Sequence, residues 1–329
     1  MANECSVLAV GDINLDVIAP IPFYPSKGGE GVTDQAEVHL GGSATNTAVV
    51  LARFGVRTCL LGRVGMDPFG DYALSLLEKT GVDVNLVQRD PELTTGIMFI
   101  AVTPDGERTI FGQRGANVNL MPVSLKEKGP GTLKWVHISG YSFLREPQRS
   151  TAFRILEEAR EMGVSASLDV GICAAFQARK EVDEAIPLLQ VLFLSQEEGR
   201  ALTGHESPEK AAEYALKRGA RKVAVKMGEK GCLVSDGNSL KAIQAVKVRA
   251  VDTTGAGDAF NAGFIIGELF GLGLEGSGVL GNLLGAMACT VIGAGERLPG
   301  PEELKDFLEK QPFEGKGLTP FALLEAIIR

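Results

Sequence analysis

The chain has 329 residues, 45% of them hydrophobic, which suits one large α/β domain or two domains around a sizeable core. Its formal net charge of −8 argues against a nucleic-acid scaffold, so an anionic ligand would need a local, specific site. No uncharged run approaches membrane-spanning length, and the five scattered cysteines match neither a disulfide framework nor a zinc motif. We therefore expect a reduced, cytoplasmic protein with no nucleic-acid or membrane partner.

The first predicted element is a buried parallel strand, the apolar run from Ser6 to Gly11, which ends in polar residues. In parallel α/β sheets, ligands sit at the carboxyl ends of the strands. Asn14 and Asp16 alternate on an extended chain, so they face the same side and are expected to bind hydroxyl groups. Asp12 is interpreted instead as a turn former in a solvated loop.

The next stretches predict a small β-structure outside the main sheet. Prolines stiffen and glycines loosen residues 17–40, which finish with a half-exposed strand pattern from Thr33 to Leu40. Residues 95–115 predict a hairpin with strands at Thr95–Val102 and Arg108–Phe111. Together these segments would form a lid that excludes water from a site, and an ordinary edge hairpin is the alternative.

The hairpin is predicted to turn at Pro104 to Glu107 and to return to the body at Gln113 and Arg114. Either of the last two side chains could reach a substrate, although a lone arginine in a loop is more often solvated. The predicted division of the chain is an α/β catalytic body at residues 1–16, 41–94 and 116–329, and a β-lid at residues 17–40 and 95–115.

A glycine pair opens the first predicted helix, which runs from Gly41-Gly42 through Phe54 and is followed by Gly55. Two adjacent glycines allow the backbone to approach a ligand closely. Asn46, in the first turn, would offer both a donor and an acceptor to a sugar hydroxyl. A capped helix with no ligand is an equally good interpretation of this motif alone.

Short apolar runs then alternate with amphipathic helices, a pattern typical of a parallel sheet covered on both faces. The predicted strands are Thr58–Val64, Trp135–Ser139, Ser165–Asp169, Val191–Ser195, Lys222–Lys226 and Cys232–Ser235. The predicted helices run from Asp67-Pro68 to Gly81, and over Pro147–Met162, Glu181–Leu189, Val279–Val291, Pro301–Glu309 and Pro320–Ile328.

Two charged residues follow strands of this sheet. Glu198 could hold water on a Mg²⁺ ion, or it could simply stabilise the first turn of a helix through the helix dipole. Lys226, at the end of an apolar strand, could meet a nucleotide phosphate, and a surface lysine is an equally good interpretation.

The most informative stretch is Val251 to Phe264, where a strand-like run, Ala245–Val251, leads through a turn into a helical run, Ala259–Leu269. The turn consists of Gly255, Ala256 and Gly257, whose small size lets several N–H groups point the same way. Because a helix start carries unpaired N–H groups and partial positive charge, this turn is expected to hold an anion such as a phosphate.

Asp258 directly follows this expected anion site, which would repel a carboxylate that had no task. The task that fits is to accept a proton from a hydroxyl that attacks the phosphate, which indicates a phosphotransferase. The alternative is an aspartate that merely caps the helix.

The run Gly41-Gly42-Ser43-Ala44-Thr45-Asn46, followed far downstream by Asp252-Thr253-Thr254-Gly255-Ala256-Gly257-Asp258, resembles the two signatures of the ribokinase-like (phosphofructokinase-B type) carbohydrate kinases. The resemblance extends from about Val7 to about Leu308. It implies a central, mostly parallel sheet with helices on both faces and a small β-sheet lid that often serves as a dimer interface. It also implies ATP-dependent transfer of the γ-phosphate to a primary hydroxyl of a sugar.

The resemblance also implies a role for each matching position. Asp258 would be the general base, and the N–H groups of Gly255, Ala256 and Gly257 would form an anion hole. The remaining matching positions are sugar contacts at Asn14, Asp16, Gly42 and Asn46; nucleotide contacts at Gly228 and Asn282; water-mediated Mg²⁺ binding at Glu198; and a monovalent-cation (K⁺) loop at Asp252 and Thr254. We also expect Ser43 to contact the sugar, and Lys226 and Gly231 to contact the nucleotide.

Three positions depart from the ribokinase pattern. Ser43 stands where ribokinases carry Lys, and Ser139 lies near a position where they carry Glu, so two polar sugar contacts are missing and ribose itself is in doubt. Ser195 replaces an Asn of the Asn-x-x-Glu element, which would change the geometry around magnesium.

Two other functions stay open at this stage. A nucleoside kinase of the same fold would need an apolar slot for the base, which Phe23, Phe99 and Phe111 of the lid could supply. A catalytically silent sugar-binding protein is the second alternative, against which the intact Asp258 and Gly-Ala-Gly turn argue.

Overall fold

The computed structural model describes residues 5–104, 108–126 and 131–310. The described strands, in chain order, are β1 (Val7–Val10), β2 (Asn14–Pro20), β3 (Glu37–Gly41), β4 (Thr58–Leu61), β5 (Arg63–Gly65), β6 (Gln88–Asp90), β7 (Gly96–Val102), β8 (Arg108–Gln113), β9 (Trp135–Ser139), β10 (Ser165–Asp169), β11 (Val191–Ser195), β12 (Lys222–Lys226), β13 (Cys232–Ser235) and β14 (Leu240–Ile243).

The described α-helices are α1 (Ser43–Arg53), α2 (Pro68–Lys79), α3 (Gln148–Glu161), α4 (Ile172–Gln177), α5 (Arg179–Ala185), α6 (Gln196–Thr203), α7 (Pro208–Lys217), α8 (Ala256–Leu269), α9 (Gly273–Ala288) and α10 (Pro301–Lys310). Short 3-10 turns occur at Gly115–Asn119, Gly140–Phe143, Ile186–Leu188, Gly228–Lys230 and Gly295–Arg297.

An eight-stranded sheet forms the centre of the molecule, in the order β14-β13-β12-β11-β10-β9-β1-β4. Its strands are parallel from β12 to β4, whereas β13 and β14 pair antiparallel at one edge. Because the carboxyl ends of the parallel strands meet at one edge, the polar residues that follow β1, β9, β10 and β11 converge there.

Helices cover both faces of this sheet, as the sequence predicts. Alternate residues of β1 point to opposite faces, so that Leu8 and Val10 contact one apolar cluster while Val7 and Ala9 contact two others. The first cluster includes residues of α3 to α7, and the other two include residues of α1, α2, α8, α9 and α10. Both faces of the central strands are therefore buried, which explains their continuous apolar runs.

A second sheet of four strands, in the order β3-β2-β7-β8, stands beside the large one, and we call it the small sheet. β2 pairs antiparallel with β3 and parallel with β7, which pairs antiparallel with β8. One face of the small sheet carries Asn14, Asp16 and Ile18 of β2, and Ile18 pairs with Ile100 of β7. The opposite face, which we call the outer face, carries the directly paired Phe99 and Phe111.

Helix α8 is fixed in place by an aromatic cluster in the core. The ring of Phe193, on β11, lies 5.3 Å from that of Phe264 and 6.4 Å from that of Phe260. Both contacts are edge-to-face, the arrangement that aromatic pairs favour. The start of α8 is thereby held at the carboxyl edge of the parallel strands.

Several predicted elements differ from the structure. The predicted strand Ala245–Val251 is wrong, because this segment pairs with no strand of the described chain. Its neighbourhood is held instead by the side chain of Asn282, which donates to the carbonyls of Ile243 and Gln244, and by Val251 N–H, which donates to Cys289.

Helix boundaries also moved. Helix α8 begins three residues earlier than predicted, so Ala256 and Gly257 belong to its first turn, and α9 begins six residues earlier, at Gly273. Part of the predicted hairpin turn at 104–107 and the predicted helix Pro320–Ile328 lie outside the described residues. Among the helices that are described, none has both the length and the apolar character needed to cross a lipid bilayer.

Candidate active site

A cleft of about 840 Å³ opens between the carboxyl edge of the large sheet and the small sheet. Its polar side is formed by residues after β1, on β2, at the start of α1 and in the loop before α8, and its apolar side by aliphatic residues of the small sheet. The apolar side consists of Ile18, Pro20, Met98, Ile100, Val102 and Ile110. A concave site with one apolar wall and a few convergent polar groups is typical of small-molecule binding.

Asp258 lies in the first turn of α8 with its carboxylate held by the start of α1. Ser43 Oγ donates to Oδ1 over 2.8 Å, and Asn46 Nδ2 donates to Oδ2 over 2.7 Å. Burial and the nearby carboxylate of Asp169 raise the pKa of Asp258 to about 6, although the two donated hydrogen bonds oppose this shift. A carboxylate with this pKa is ionised at neutral pH and is basic enough to accept a proton.

Lys226 ends β12 and brings its ammonium group to the anion turn. Nζ lies 2.7 Å from Oδ1 of Asp169, and a Cβ added to Gly257 would lie only 3.2 Å from Nζ. Burial acts to lower the pKa of Lys226, but the carboxylates of Asp169 and Glu198 outweigh it and the pKa is raised. Lys226 is therefore a cation beside the first turn of α8, where its Nζ also donates to Oδ1 of Asn261 over 3.3 Å, and is not a surface lysine.

Gly255 precedes α8 in the left-handed region, with φ of 75°, and starts the helix at the anion turn. The first N–H groups of an α-helix have no partner within the helix, so they are available to an anion. The N–H of Ala256 already donates to the carbonyl of Thr253 over 3.3 Å, a long hydrogen bond that closes the turn. The turn therefore combines N–H donors with the ammonium group of Lys226.

Asp16 is the buried polar group that most needs a ligand. Its Oδ1 is buried without a hydrogen-bond partner among the described residues, and Asp16 lines the cleft. Burial raises the pKa of Asp16 to about 7, with Asp258 and Glu296 adding to the rise and His39 opposing it. Gly41 is required beside it, because a side chain there would overlap the carboxylate of Asp16.

Asn14 shares this face of β2 and lines the cleft. Its Oδ1 accepts a hydrogen bond of 2.8 Å from Nδ2 of Asn117, whose own Oδ1 accepts from the Ile13 N–H over 2.8 Å. Asn117 therefore fixes the amide of Asn14 with its NH₂ group towards the cleft. Sequence reasoning did not identify Asn117, since nothing in the sequence links it to a strand 103 residues away.

The other predicted sugar contacts lie at the start of α1. Gly42 has φ of 104° and lines the cleft, where a side chain would overlap the carbonyl of Asp12. Ser43 and Asn46 donate to Asp258, and Oδ1 of Asn46 also accepts the Gly295 N–H over 3.0 Å. The structure thus shows these two side chains positioning the carboxylate of Asp258, while a contact with sugar stays a prediction.

The loop that contains Gly295 is tied in turn to the small sheet. Glu296 Oε1 lies 2.8 Å from Nδ1 of His39, and its Oε2 accepts the Leu40 N–H over 3.1 Å. Hydrogen bonding to Glu296 raises the pKa of His39, burial opposes this rise, and Glu37 reinforces it. Strand β3 and the loop after α9 are therefore joined through a buried, acid-paired histidine.

Asp12 and Arg114 form a buried ion pair that sequence reasoning assigned to solvated loops, and that assignment is wrong. Asp12 is only 4% exposed, and its Oδ2 and Oδ1 accept from Nε and Nη2 of Arg114 over 2.7 and 2.8 Å. Gln148 also donates to Oδ1 of Asp12 over 2.8 Å. The partners are 102 residues apart, so sequence gave no signal for the pair.

The predicted nucleotide positions cluster around the end of β12. Gly228 begins the 3-10 turn that follows β12, and Gly231, with φ of 91°, packs against the backbone of residues 243–245. Asn282 donates to two carbonyls of that segment, over 3.1 Å each. Gly231 and Asn282 therefore shape the same segment, and direct contact with a nucleotide stays a prediction.

Glu198 lies in the first turn of α6, where its Oε2 accepts the Ser195 N–H over 2.7 Å and its own N–H donates to Ser195 Oγ. Burial raises the pKa of Glu198 to about 7, and Asp169 adds to the rise. Carboxylate oxygens of Glu198 and Asp169 fit Mg²⁺, which is typically held by one or two carboxylates plus substrate phosphates. Among the described residues, no group of three or more His, Cys, Asp or Glu forms a metal cage.

Asp252 links two loops beside α8. Its Oδ1 accepts from N–H and Oγ1 of Thr254, over 2.9 and 2.7 Å, and its Oδ2 accepts the Gly293 N–H over 2.9 Å. Its carboxylate and the carbonyls of these loops are oxygen ligands of the kind that K⁺ requires, so the loop fits the predicted cation site.

Comparison with known proteins places this chain in a family. Residues 5–300 match the model of the pfkB family carbohydrate kinases. This chain belongs to the pfkB family of carbohydrate kinases. Among similar proteins is the 2-dehydro-3-deoxygluconokinase of Bacillus subtilis, 30% identical over 282 residues that cover 83% of this chain and 87% of that protein. The chain is therefore a sugar kinase that carries out ATP-dependent phosphotransfer.

Solved structures share the fold of this pfkB-family kinase. The ribokinase of Thermotoga maritima superposes with a TM-score of 0.80 at 27% identity, covering 93% of this chain and 99% of that one. An E. coli protein provisionally described as a ribokinase II, solved with ATP and Mg²⁺, superposes with a TM-score of 0.81 at 24% identity, covering 93% and 100%. These structures confirm the predicted ribokinase-like architecture.

The aromatic slot expected for a nucleoside kinase is not in the cleft. Phe99 and Phe111 lie 6.5 Å apart on the outer face of the small sheet, and Phe23 is 58% exposed. Among the described residues that line the cleft, Tyr141 is the one with an aromatic ring. The side-chain arrangement thus removes the observation that favoured a nucleoside acceptor.

Asp16→Asn should lower kcat/KM for the preferred acceptor by about 10–100-fold, because hydrogen bonds to a charged carboxylate are lost. The same variant should be more stable than the wild type at pH 8. The raised pKa of Asp16, about 7, means that stability present at low pH is lost as pH rises through that value, and Asn does not ionise.

Steady-state kinetics of ADP release and thermal unfolding at low and high pH would test both effects. Asp71→Asn is the matched control, because the side chain of Asp71 is 70% exposed on α2. If the Asp16 variant kept the wild-type kcat/KM for every acceptor, Asp16 would not bind the acceptor.

Proposed function

We propose that this kinase transfers the γ-phosphate of ATP to a primary hydroxyl of a sugar, with Asp258 as the general base. The observation that supports this best is the position of the Asp258 carboxylate. It lies next to the cleft-lining Ser43, in the helix turn that also contacts the ammonium group of Lys226. A base, a hydroxyl site and an anion site therefore adjoin one another.

In the proposed reaction, the acceptor hydroxyl lies between Asp258 and the γ-phosphate. Its oxygen forms the new P–O bond, its proton passes to Asp258, and the bond between the γ-phosphorus and the bridging oxygen breaks to release ADP. General-base assistance of this kind typically contributes about 10²–10⁴-fold. The pKa of Asp258, about 6, suits a base that must work near neutral pH.

The anion turn would stabilise the group in transfer. The N–H groups of Gly255, Ala256 and Gly257 and the ammonium of Lys226 would face the phosphoryl oxygens as negative charge shifts onto the leaving group. By analogy with oxyanion holes, donors so placed contribute about 10²–10³-fold. The contact between Lys226 and Gly257 supports a role for Lys226 at the transferred phosphate, while Gly228, Gly231 and Asn282 would border the rest of the nucleotide.

Glu198 and Asp169 would hold Mg²⁺ through water, and Asp252 and Thr254 would contribute to a K⁺ site. The bound ion would supply positive charge that offsets the negative charge of the phosphates. Asp169 enters this scheme from the structure alone, because its carboxylate lies 2.7 Å from Lys226 and 3.3 Å from Ser43.

The acceptor would bind through Asn14 and Asp16, with the backbone at Gly42 alongside. The unpartnered Oδ1 of Asp16 supports this placement, since a buried acceptor costs free energy until a donor reaches it. Ser139 lines the same cleft and leaves it less polar than a glutamate would. The cytoplasm would supply ATP, and none of the five cysteines forms a disulfide.

The small sheet would act as a lid over the cleft and as the contact surface for a second copy of the chain. Its outer face exposes Val38, Phe99 and Phe111, which are 39%, 41% and 61% exposed. A contiguous apolar face of this kind is rare on a monomer and commonly marks a protein interface.

Asp258→Asn should reduce kcat by about 10²–10⁴-fold, because Asn cannot accept the hydroxyl proton. Sugar binding, measured by calorimetry, should persist, since Asn14 and Asp16 are unchanged. In the wild type, kcat/KM should fall about tenfold per pH unit below about pH 6, where Asp258 of the free enzyme becomes protonated. The residual rate of the variant should lack this pH dependence, and a variant with the wild-type kcat would show that another group is the base.

Excess EDTA should abolish ADP release, and added Mg²⁺ should restore it, since phosphoryl transfer needs the metal to neutralise phosphate charge. Exchange of K⁺ for tetramethylammonium at constant ionic strength should lower kcat. Full turnover in EDTA would contradict the proposed roles of Glu198 and Asp169, and an unchanged rate without K⁺ would contradict the cation loop.

Phe111→Asp should convert a dimer into a monomer, because the new charge would be desolvated in the contact between two outer faces. Size-exclusion chromatography with light scattering measures the mass directly. Tyr72→Asp is the control, since Tyr72 is 44% exposed on α2, outside the small sheet. A wild-type chain that stays monomeric at high concentration would refute this interface.

A further inference from the structure

The charges that line the cleft are strongly unbalanced. Asp12, Asp16 and Asp252 line it with carboxylates, and among the described lining residues Arg114 is the one that carries a positive charge. Lys226 lies nearby but is paired with Asp169 over 2.7 Å beside the anion turn, where the transferred phosphate would be. Among the side chains that the structure describes, Arg114 is therefore the cation of the cleft that could receive a negatively charged acceptor.

Arg114 is already neutralised by its own protein. Its Nε and Nη2 donate to the two oxygens of Asp12 over 2.7 and 2.8 Å, a two-point pairing that fixes the plane of the guanidinium group. Nη2 also donates to Oε1 of Gln148 over 2.6 Å and to the carbonyl of Tyr141 over 3.0 Å. Nη1, which has no partner among the described residues, can donate to a neutral oxygen without supplying net positive charge.

The opposite wall would also penalise a charged acceptor. The face of the small sheet opposite its outer face lines the cleft with Ile18, Met98, Ile100, Val102 and Ile110. A carboxylate or phosphate brought under these side chains would lose its water, and these aliphatic side chains offer no charged or donor group in exchange, which is a large cost. Hydroxyl and carbonyl oxygens lose far less on the same transfer.

We infer that the acceptor of this kinase is an uncharged polyhydroxy compound, and that the Asp12–Arg114 pair excludes acceptors that carry a carboxylate or a phosphate. The inference rests on the proposed function and narrows its substrate class. It also separates this chain from its relative that is named for the acid 2-dehydro-3-deoxygluconate, despite their 30% identity.

The deciding experiment is a panel of acceptors in pairs that keep a free primary hydroxyl and differ in charge. D-Ribose is compared with D-ribose 1-phosphate, and D-fructose with D-fructose 1-phosphate, with 2-dehydro-3-deoxy-D-gluconate as the acid, using ADP release by the full chain with Mg²⁺ and K⁺. The neutral member of a pair should have the higher kcat/KM by at least about tenfold, because the carboxylates that line the cleft repel a negatively charged acceptor.

The outcomes separate the inference from the proposed function. Turnover of a phosphate or of the acid with kcat/KM equal to or above that of the neutral compounds overturns the inference and leaves the kinase activity standing. No turnover of any member of the panel counts against the proposed sugar acceptor, and the inference falls with it.

Asp12→Asn provides a second test, because it keeps the shape of the side chain and releases the charge of Arg114. The ratio of kcat/KM for charged over neutral acceptors should rise by about tenfold or more. Asp90→Asn is the matched control, since Asp90 is equally buried and pairs with Arg63 over 2.8 Å outside the cleft. An unchanged ratio in a folded Asp12 variant overturns the role of the pair; if that variant does not fold, the panel on the wild type still decides.

Discussion

A carboxylate held inside a protein stays ionised only where its surroundings replace the water it has lost, and this requirement organises the site around Asp258. Two donors from the start of α1 reach its two oxygens, and a buried lysine–aspartate pair stands beside it. The balance leaves the group charged at neutral pH and still basic, with a pKa of about 6. More donors or a closer cation would lower the pKa of Asp258 further, and the carboxylate would then be too weak a base to accept a proton. Fewer donors would raise the pKa, and the acid would then be protonated at neutral pH.

The two sheets divide the labour of building the cleft. The large sheet supplies charged and polar groups, because its parallel strands end at one edge and place Asp169, Ser195 and Lys226 there. The small sheet supplies a polar and an apolar part of the lining, because alternate residues of β2 carry Asn14 and Asp16 at one end and aliphatic side chains at the other. One strand thus supplies both polar and apolar side chains to the cleft, because alternate residues of a strand face the same side.

The fold and the central carboxylates could be predicted from sequence because their signals are local. Apolar runs give strands, strand ends give ligand positions, and Asp258 follows directly after a turn of small residues. Asp169, Asn117 and the Asp12–Arg114 pair could not be predicted, since each depends on a partner that only the tertiary structure supplies. The segment Ala245–Val251 was predicted wrongly for a related reason. Its sequence has a strand-like pattern, but no strand of the described chain pairs with it. Asn282 of α9 binds the two carbonyls just before it, and the Val251 N–H donates to the carbonyl of Cys289.

The side-chain amide of Asn46 connects the small sheet to Asp258. Its Nδ2 donates to the carboxylate of Asp258, and its Oδ1 accepts the N–H of Gly295. The adjacent Glu296 binds the ring of His39 and accepts the N–H of Leu40, both on β3. Hydrogen bonds and the backbone between Gly295 and Glu296 thus connect β3 of the small sheet to the carboxylate of Asp258. Any displacement of β3 would therefore change the hydrogen bonds that hold the carboxylate of Asp258, so the position of the small sheet and the orientation of this carboxylate are coupled.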